Sequence, residues 1–160
     1  GAVDWLAMLA QATEEQVVHA DNNPYGFDNR LWDSILRDAT ARGEFATDDE
    51  SFEQRWRAAI EWEDLDILLN VLKELEAEAL ILSRPFSGPY WDDMGVSERA
   101  RQAFYDRLAE VVRSFHFPVI DWREHDGDRH FTVDVWSHTS RKGWVYVNQV
   151  LDQFYHGTLP

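Results

Sequence analysis

Two short apolar runs, Ala79-Leu80-Ile81-Leu82 and Pro118-Val119-Ile120-Asp121, interrupt a chain whose other apolar residues follow helical spacing. A run of about four between turn-forming segments is too short for a buried helix and suits a strand covered on both faces. Strands alternating with helices imply a parallel sheet with right-handed crossovers, helices on its faces, and functional loops at the carboxyl ends of the strands. The predicted class is α/β, with a small parallel sheet flanked by helices.

The helical segments can be placed from caps and periodicity. Asp4 to His19 is predicted as a helix with Trp5, Leu6, Leu9 and Val17 among its apolar positions, stopped by Asn22-Asn23-Pro24. Leu31, Trp32, Ile35 and Leu36 form a second short face. Gly43 and the run Thr47-Asp48-Asp49-Glu50 read as a break with solvated acids. From Asp64, the residues Leu65, Leu68, Leu69, Leu72 and Leu75 make one packing face. Ser97 is a predicted N-cap, with Glu98 in the first turn, for a helix burying Ala103, Phe104, Leu108, Val111, Val112 and Phe115. Ser140 caps a last helix carrying Trp144, Val147, Leu151 and Phe154 inward and ending near Gly157. Two strands make a poor sheet. Further strand structure is therefore expected, at Phe131 to Val135 or from a part of the protein outside this chain.

Composition narrows the function. At 160 residues, 44% of them apolar, with eight Trp, nine Phe and five Tyr, the chain is read as one folded domain over 1–160 rather than as disorder. A net charge of -15 argues against nucleic acid as a partner and against an anionic membrane surface. With no cysteine, disulfides, thiolate nucleophiles and thiolate metal sites are excluded. No apolar run approaches the ~20 residues that span a bilayer.

Chemistry concentrates after the second apolar run, in Glu124-His125-Asp126-Gly127-Asp128-Arg129-His130 and Asp134-Val135-Trp136-Ser137-His138. A metal site is one reading. The spacing matches no zinc signature, however, and Asp126-Gly127-Asp128 is too short for a calcium loop, so no metal or cofactor is assigned. The other reading takes His138 as a general base at the start of the last helix, oriented by Asp134, as serine hydrolases require.

Three blocks in order carry a resemblance to a known family. Asn22-Asn23-Pro24-Tyr25-Gly26-Phe27-Asp28-Asn29 is similar to an Asn-Pro-aromatic and Asp-Asn signature. Pro85-Phe86-Ser87-Gly88-Pro89-Tyr90-Trp91-Asp92-Asp93-Met94-Gly95-Val96-Ser97 matches a loop of Pro, Gly, paired aromatics, Asp and Gly before a helix. Phe117-Pro118-Val119-Ile120-Asp121 leads through His138 to Lys142-Gly143-Trp144-Val145-Tyr146-Val147. Together they resemble the D-alanyl transfer protein family (DltD) of lipoteichoic acid biosynthesis, over most of the chain from about His19. Two departures stand out: Ser87 replaces the usual Asn, and Asp134 and His138 are four positions apart where the family has three, which leaves Val135 at the acid's usual position.

The resemblance implies an SGNH hydrolase-like three-layer fold, of which this chain is the C-terminal portion. It further implies an extracytoplasmic protein anchored to the cytoplasmic membrane by a segment absent here. The family's nucleophilic serine lies upstream in a Gly-Asp-Ser type turn, a context in which none of the eight serines of this chain sits. His138 and Asp134 are then the catalytic pair, inactive alone, for transfer or hydrolysis of a D-alanyl ester or thioester. Asn23, Ser87, Gly88 and Trp91 are candidates for substrate binding. Expected partners are an acyl carrier protein or a membrane-bound O-acyltransferase, with a cell-surface polymer as acceptor. The alternative is a non-catalytic module that binds either protein through aromatic loops, with His138 incidental.

Overall fold

The computed structural model describes residues 3–159. Its elements are α1 (Trp5–His19), a helical stretch made of α2 (Asn29–Leu31), a π-turn (Trp32–Leu36) and α3 (Arg37–Ala41), then α4 (Asp49–Arg57) and α5 (Glu61–Glu74). β1 (Ile81–Leu82), α6 (Gly88–Asp93), α7 (Glu98–Ser114), β2 (Val119–Ile120), a short 3₁₀ turn (Arg123–His125) and α8 (Arg141–Tyr155) complete it. The two strands pair in parallel, Ile81 opposite Val119 and Leu82 opposite Ile120. The mixed α/β class and the small flanked parallel sheet are as predicted. Leu82 and Ile120 pack with Val147, Tyr146 and Val150 of α8, around buried Trp122 and Phe131.

The caps follow the residue chemistry. The side chains of Asp4, Asp48, Ser97 and Ser140 accept backbone N–H groups at the starts of α1, α4, α7 and α8. The acidic run read as a break with solvated acids does lie largely at the surface, with Asp48 and Glu50 exposed, but it also starts α4. Asp48 is the cap, and Asp49 accepts both the amide and the hydroxyl of Ser97 at 2.7 Å while pairing with Arg99. A helix N-terminus attracts carboxylates, and here that preference also ties α4 to α7.

Residues 131–135 do not form a strand. They make one antiparallel bridge, Thr132 to Thr139, beyond which Asp134 turns the chain by accepting amides with its own side chain. Such local capture competes with ladder formation. α5 begins at Glu61 rather than Asp64, and of its apolar face only Leu69 is buried, with Leu68, Val71 and Leu75 exposed. α8 is rotated by about one position from the prediction: Val145 and Val147 are buried, whereas Trp144 and Leu151 are exposed.

Candidate functional site: an aspartate–histidine pair beside the start of the last helix

The site is built on the return from Phe131 to α8. Thr132 pairs with Thr139, the Val133 amide donates to the His138 carbonyl at 2.8 Å, and the Ser140 amide donates to the Phe131 carbonyl at 2.9 Å. These bonds close residues 133–138 into a tight loop. Its inner wall is Val135, which packs with Tyr25, Phe27, Trp32 and Tyr90, while Trp136 lies on the outside, edge-on to Phe45. The Asp28 amide donates to the Val133 carbonyl, joining the loop to the first signature block.

Within that loop the two predicted catalytic residues meet. His138 Nδ1 lies 2.5 Å from Asp134 Oδ2. The other carboxylate oxygen accepts the amides of Trp136 at 2.9 Å and His138 at 3.2 Å. Asp134 is 2% exposed, whereas the His138 side chain is 61% exposed. A buried carboxylate locked by two backbone donors thus holds one nitrogen of an imidazole whose other edge faces solvent. Between the two, Ser137 adopts φ +60, a left-handed conformation uncommon outside glycine, asparagine and aspartate. That turn swings His138 back onto Asp134.

The four other candidates are placed elsewhere. Asn23 is buried, with its amide oxygen accepting the backbone N–H groups of Tyr25 and Phe27 and its nitrogen donating to the Phe27 carbonyl and to Asn22, so its hydrogen-bonding capacity goes to shaping its own loop. Ser87 is 2% exposed, and its hydroxyl has no partner among the described residues. Gly88 sits against Asp126: a Cβ there would come within 2.3 Å of the Asp126 carboxylate, and the Gly88 amide donates to the Asp126 carbonyl. Trp91 bridges two core clusters and helps line an apolar groove of about 540 Å³ with Phe52, Trp56, Trp62 and Phe104, a groove that neither Asp134 nor His138 lines.

The carboxylates of the preceding loop are engaged by cations. Asp126 receives Nε and Nη2 of Arg101 at 2.8 to 3.0 Å and the Tyr105 hydroxyl at 3.1 Å. Arg101 also donates to Asp92 and to the Val96 carbonyl. Burial alone would raise the Asp128 pKa, but His125, Lys142 and the His130 amide outweigh it and hold the carboxyl well below its ordinary range. Burial likewise depresses His130, with Arg129 adding to the effect. Among the described residues no group of three potential ligands is arranged to hold a metal ion.

Comparison with known proteins places the chain in a family. A model of the DltD protein family matches residues 1–156. The chain belongs to the DltD family. It is 26% identical to Protein DltD of Bacillus subtilis (strain 168) over 152 residues, 94% of this chain and 37% of that protein. Protein DltD of Staphylococcus aureus (strain NCTC 8325 / PS 47) is 22% identical over 153 residues, 96% of this chain and again 37% of the relative. The chain therefore spans little more than a third of the length of these DltD proteins. Within this family region, sequence reasoning missed Arg101, whose four-residue spacing to Tyr105 on the buried stripe of α7 was the available signal. It also missed the polar pocket formed by Gln16, Arg30 and Arg141, which are 14 or more positions apart in sequence and carry no shared motif.

Proposed function

We propose that this region supplies the base half of a serine-type acyl-transfer site, with His138 as general base and Asp134 as the group that orients it. The observation that carries the reading is the 2.5 Å contact from a buried, doubly anchored carboxylate to an exposed imidazole. In that arrangement Nδ1 keeps its proton toward Asp134, leaving Nε2 free to take a proton from a hydroxyl nucleophile. The nucleophile is a serine of the longer protein, and the isolated chain is inactive because such groups act as a unit. Membership of the DltD family supports a D-alanylation-related role; on this reading the acyl group is D-alanyl, the setting is cell-envelope polymer modification such as that of lipoteichoic acid, and the longer protein works outside the cytoplasm on an SGNH-like scaffold held to the membrane. Among the described residues no helix is long and apolar enough to cross a membrane.

Hydrolysis of an activated ester by the full-length protein, by its His138→Ala variant and by this chain alone tests the reading. The variant is expected to lose at least about a hundredfold in rate, as removal of a general base does, and the isolated chain to be silent. A variant as fast as its parent ends the catalytic reading. The open groove lined by Trp56, Trp62, Trp91 and Phe104 favours a second one, a module that binds an acyl carrier protein or a membrane-bound O-acyltransferase through its aromatics.

A further inference from the structure

α5 carries apolar residues on two opposite faces, and the fold uses one of them. On the inner face Leu69 is buried, and Trp62 and Leu65 line the aromatic groove. On the outer face Ile60, Ile67, Leu68, Val71 and Leu75 are each between 45% and 71% exposed. At about 100° per residue these five fall within roughly 100° of the helix circumference, on the side away from Leu69. They run from the N-cap Ile60 to the C-cap Leu75, a row about 22 Å long. Single exposed apolar side chains are ordinary, but an aligned row of them on one helix marks an interaction face.

The charges beside the row say what fits it. Asp64 stands within the row, Glu61 borders it on one side, and Glu63 and Glu74 border it on the other. Among the described residues none of these four acids is paired with a cation. Lys73, the one base of α5, is turned to the other side of the helix, its ammonium 6.0 Å from the centre of the Phe115 ring. On α4, by contrast, Glu53 meets Arg57 and Asp49 meets Arg99. The outer face of α5 therefore combines exposed apolar side chains with acids that lack counter-charges. A second copy of this face would set acid against acid, and an anionic membrane surface would repel it.

We propose that the outer face of α5 docks a basic amphipathic helix of another protein. Apolar residues at a spacing of seven, four and four, as from Ile60 through Ile67 and Val71 to Leu75, match the anchor spacing of a second helix rather than that of a strand. Two such rows interdigitate and bury each other. Lysines or arginines beside the partner's row then meet Glu61, Glu63 and Glu74, as charges flanking a helical seam do, and a base within that row meets Asp64. The length of the row calls for a partner helix of about four turns. No residue of this face belongs to the Asp134–His138 loop, so the surface does not depend on the acyl-transfer reading.

Titration of the full-length protein into a fluorescent leucine–lysine peptide of about four helical turns, followed by anisotropy and by hydrogen exchange of the protein, tests it. A peptide of the same composition in scrambled order and a leucine–glutamate peptide are the controls. The amphipathic lysine peptide is expected to bind with saturation, more weakly as salt rises, and to slow exchange over residues 60–75, while neither control binds. Ile67→Ser/Val71→Ser should weaken binding at least about tenfold with thermal unfolding unchanged, because both side chains are at the surface. Glu63→Lys/Glu74→Lys should lose the lysine peptide and gain the glutamate one. A scrambled peptide that binds equally well, or protection spread over other acidic surfaces, would reduce the effect to net charge and overturn the site. Self-association abolished by Ile67→Ser/Val71→Ser assigns the face to a second copy, and a face already protected without peptide and unable to bind it assigns the face to an interface within the longer protein; either result overturns the proposal. Ester hydrolysis by Ile67→Ser/Val71→Ser should match the parent, and peptide binding by His138→Ala likewise, so this reading and the catalytic one can fail separately.

Discussion

Asp134 divides its two oxygens between backbone and imidazole, and the division predicts how its variants separate. In Asp134→Asn the amide oxygen can still accept the amides of Trp136 and His138, but an NH₂ group then faces His138 and reverses the tautomer that the base needs. The full-length protein is expected to lose at least about a hundredfold in ester hydrolysis with little change in melting temperature. Asp134→Ala removes both interactions, and thermal unfolding should show an additional loss of about 2 kcal/mol. Asp128 gives the acid response. Its folded pKa is depressed, so its contribution is present above the unfolded value of about 3.9 and is lost as pH falls from there through the folded value. His130, also depressed, acts in the same direction from about pH 6.5 downward. Urea unfolding followed from pH 7 to 3 should show a progressive loss of stability, with the part below pH 4 reduced in Lys142→Met, which lacks the 2.5 Å partner of Asp128. At this scale the pair Asp134–His138 was legible because acid and base types stand near each other in sequence. The left-handed Ser137 that joins them was not, since serine carries no signal for positive φ, and neither was the engagement of Asn23 with its own loop.

The first turn of α8 shows how one element is fitted to the site. A Cβ on Gly143 would lie 2.6 Å from the Phe131 carbonyl oxygen and from Thr139 Cγ2, backbone and side chain of the very strand-like return that holds His138. Glycine is needed here for close approach rather than for an unusual dihedral, so Gly143→Ala must push α8 away from that return. Overpacking of this kind costs about 1–3 kcal/mol, roughly 3–10 °C in melting temperature for a chain of this size. Ester hydrolysis should fall with it, because residues 139–143 set the position of the histidine. Ser140 as a cap announced this helix start, yet Trp144 faces outward and Val145 inward, a rotation that heptad counting on aromatics could not detect. α4 escaped notice for a related reason: its buried pair, Phe52 and Trp56, is a single i, i+4 contact in a segment otherwise made of Asp, Glu, Ser, Gln and Arg. Charge hid a helix whose acids were its cap and its tie to Ser97.

Across the whole molecule, helices and loops distant in sequence are joined by one buried guanidinium. Arg101, 1% exposed on α7, reaches Asp92 at the end of α6, the Val96 carbonyl and Asp126 beyond β2, with the Tyr105 hydroxyl completing the set and accepting the Phe86 amide. The alternation of helix and strand made the parallel sheet legible, and the caps made most helix starts legible. The centre that fixes the loops after β1 and β2 against each other was not, because arginine on a helix is read by default as surface. The arrangement predicts a strongly unequal mutational cycle. Arg101→Met keeps most of the volume but leaves Asp126, 5% exposed, as an uncompensated buried charge, for which the expected cost is about 3–5 kcal/mol in chemical denaturation. Asp126→Leu alone strands the guanidinium, although Asp92 and Val96 retain part of its bonding, so its cost should be smaller. The double variant, with both charges gone, should be more stable than Arg101→Met by at least about 1 kcal/mol, the sign of a coupled pair. Additive losses in that cycle would instead mean that the two residues act through packing alone, and that the loops after the two strands are held together by the aromatic clusters on either side of α6 rather than by this charge.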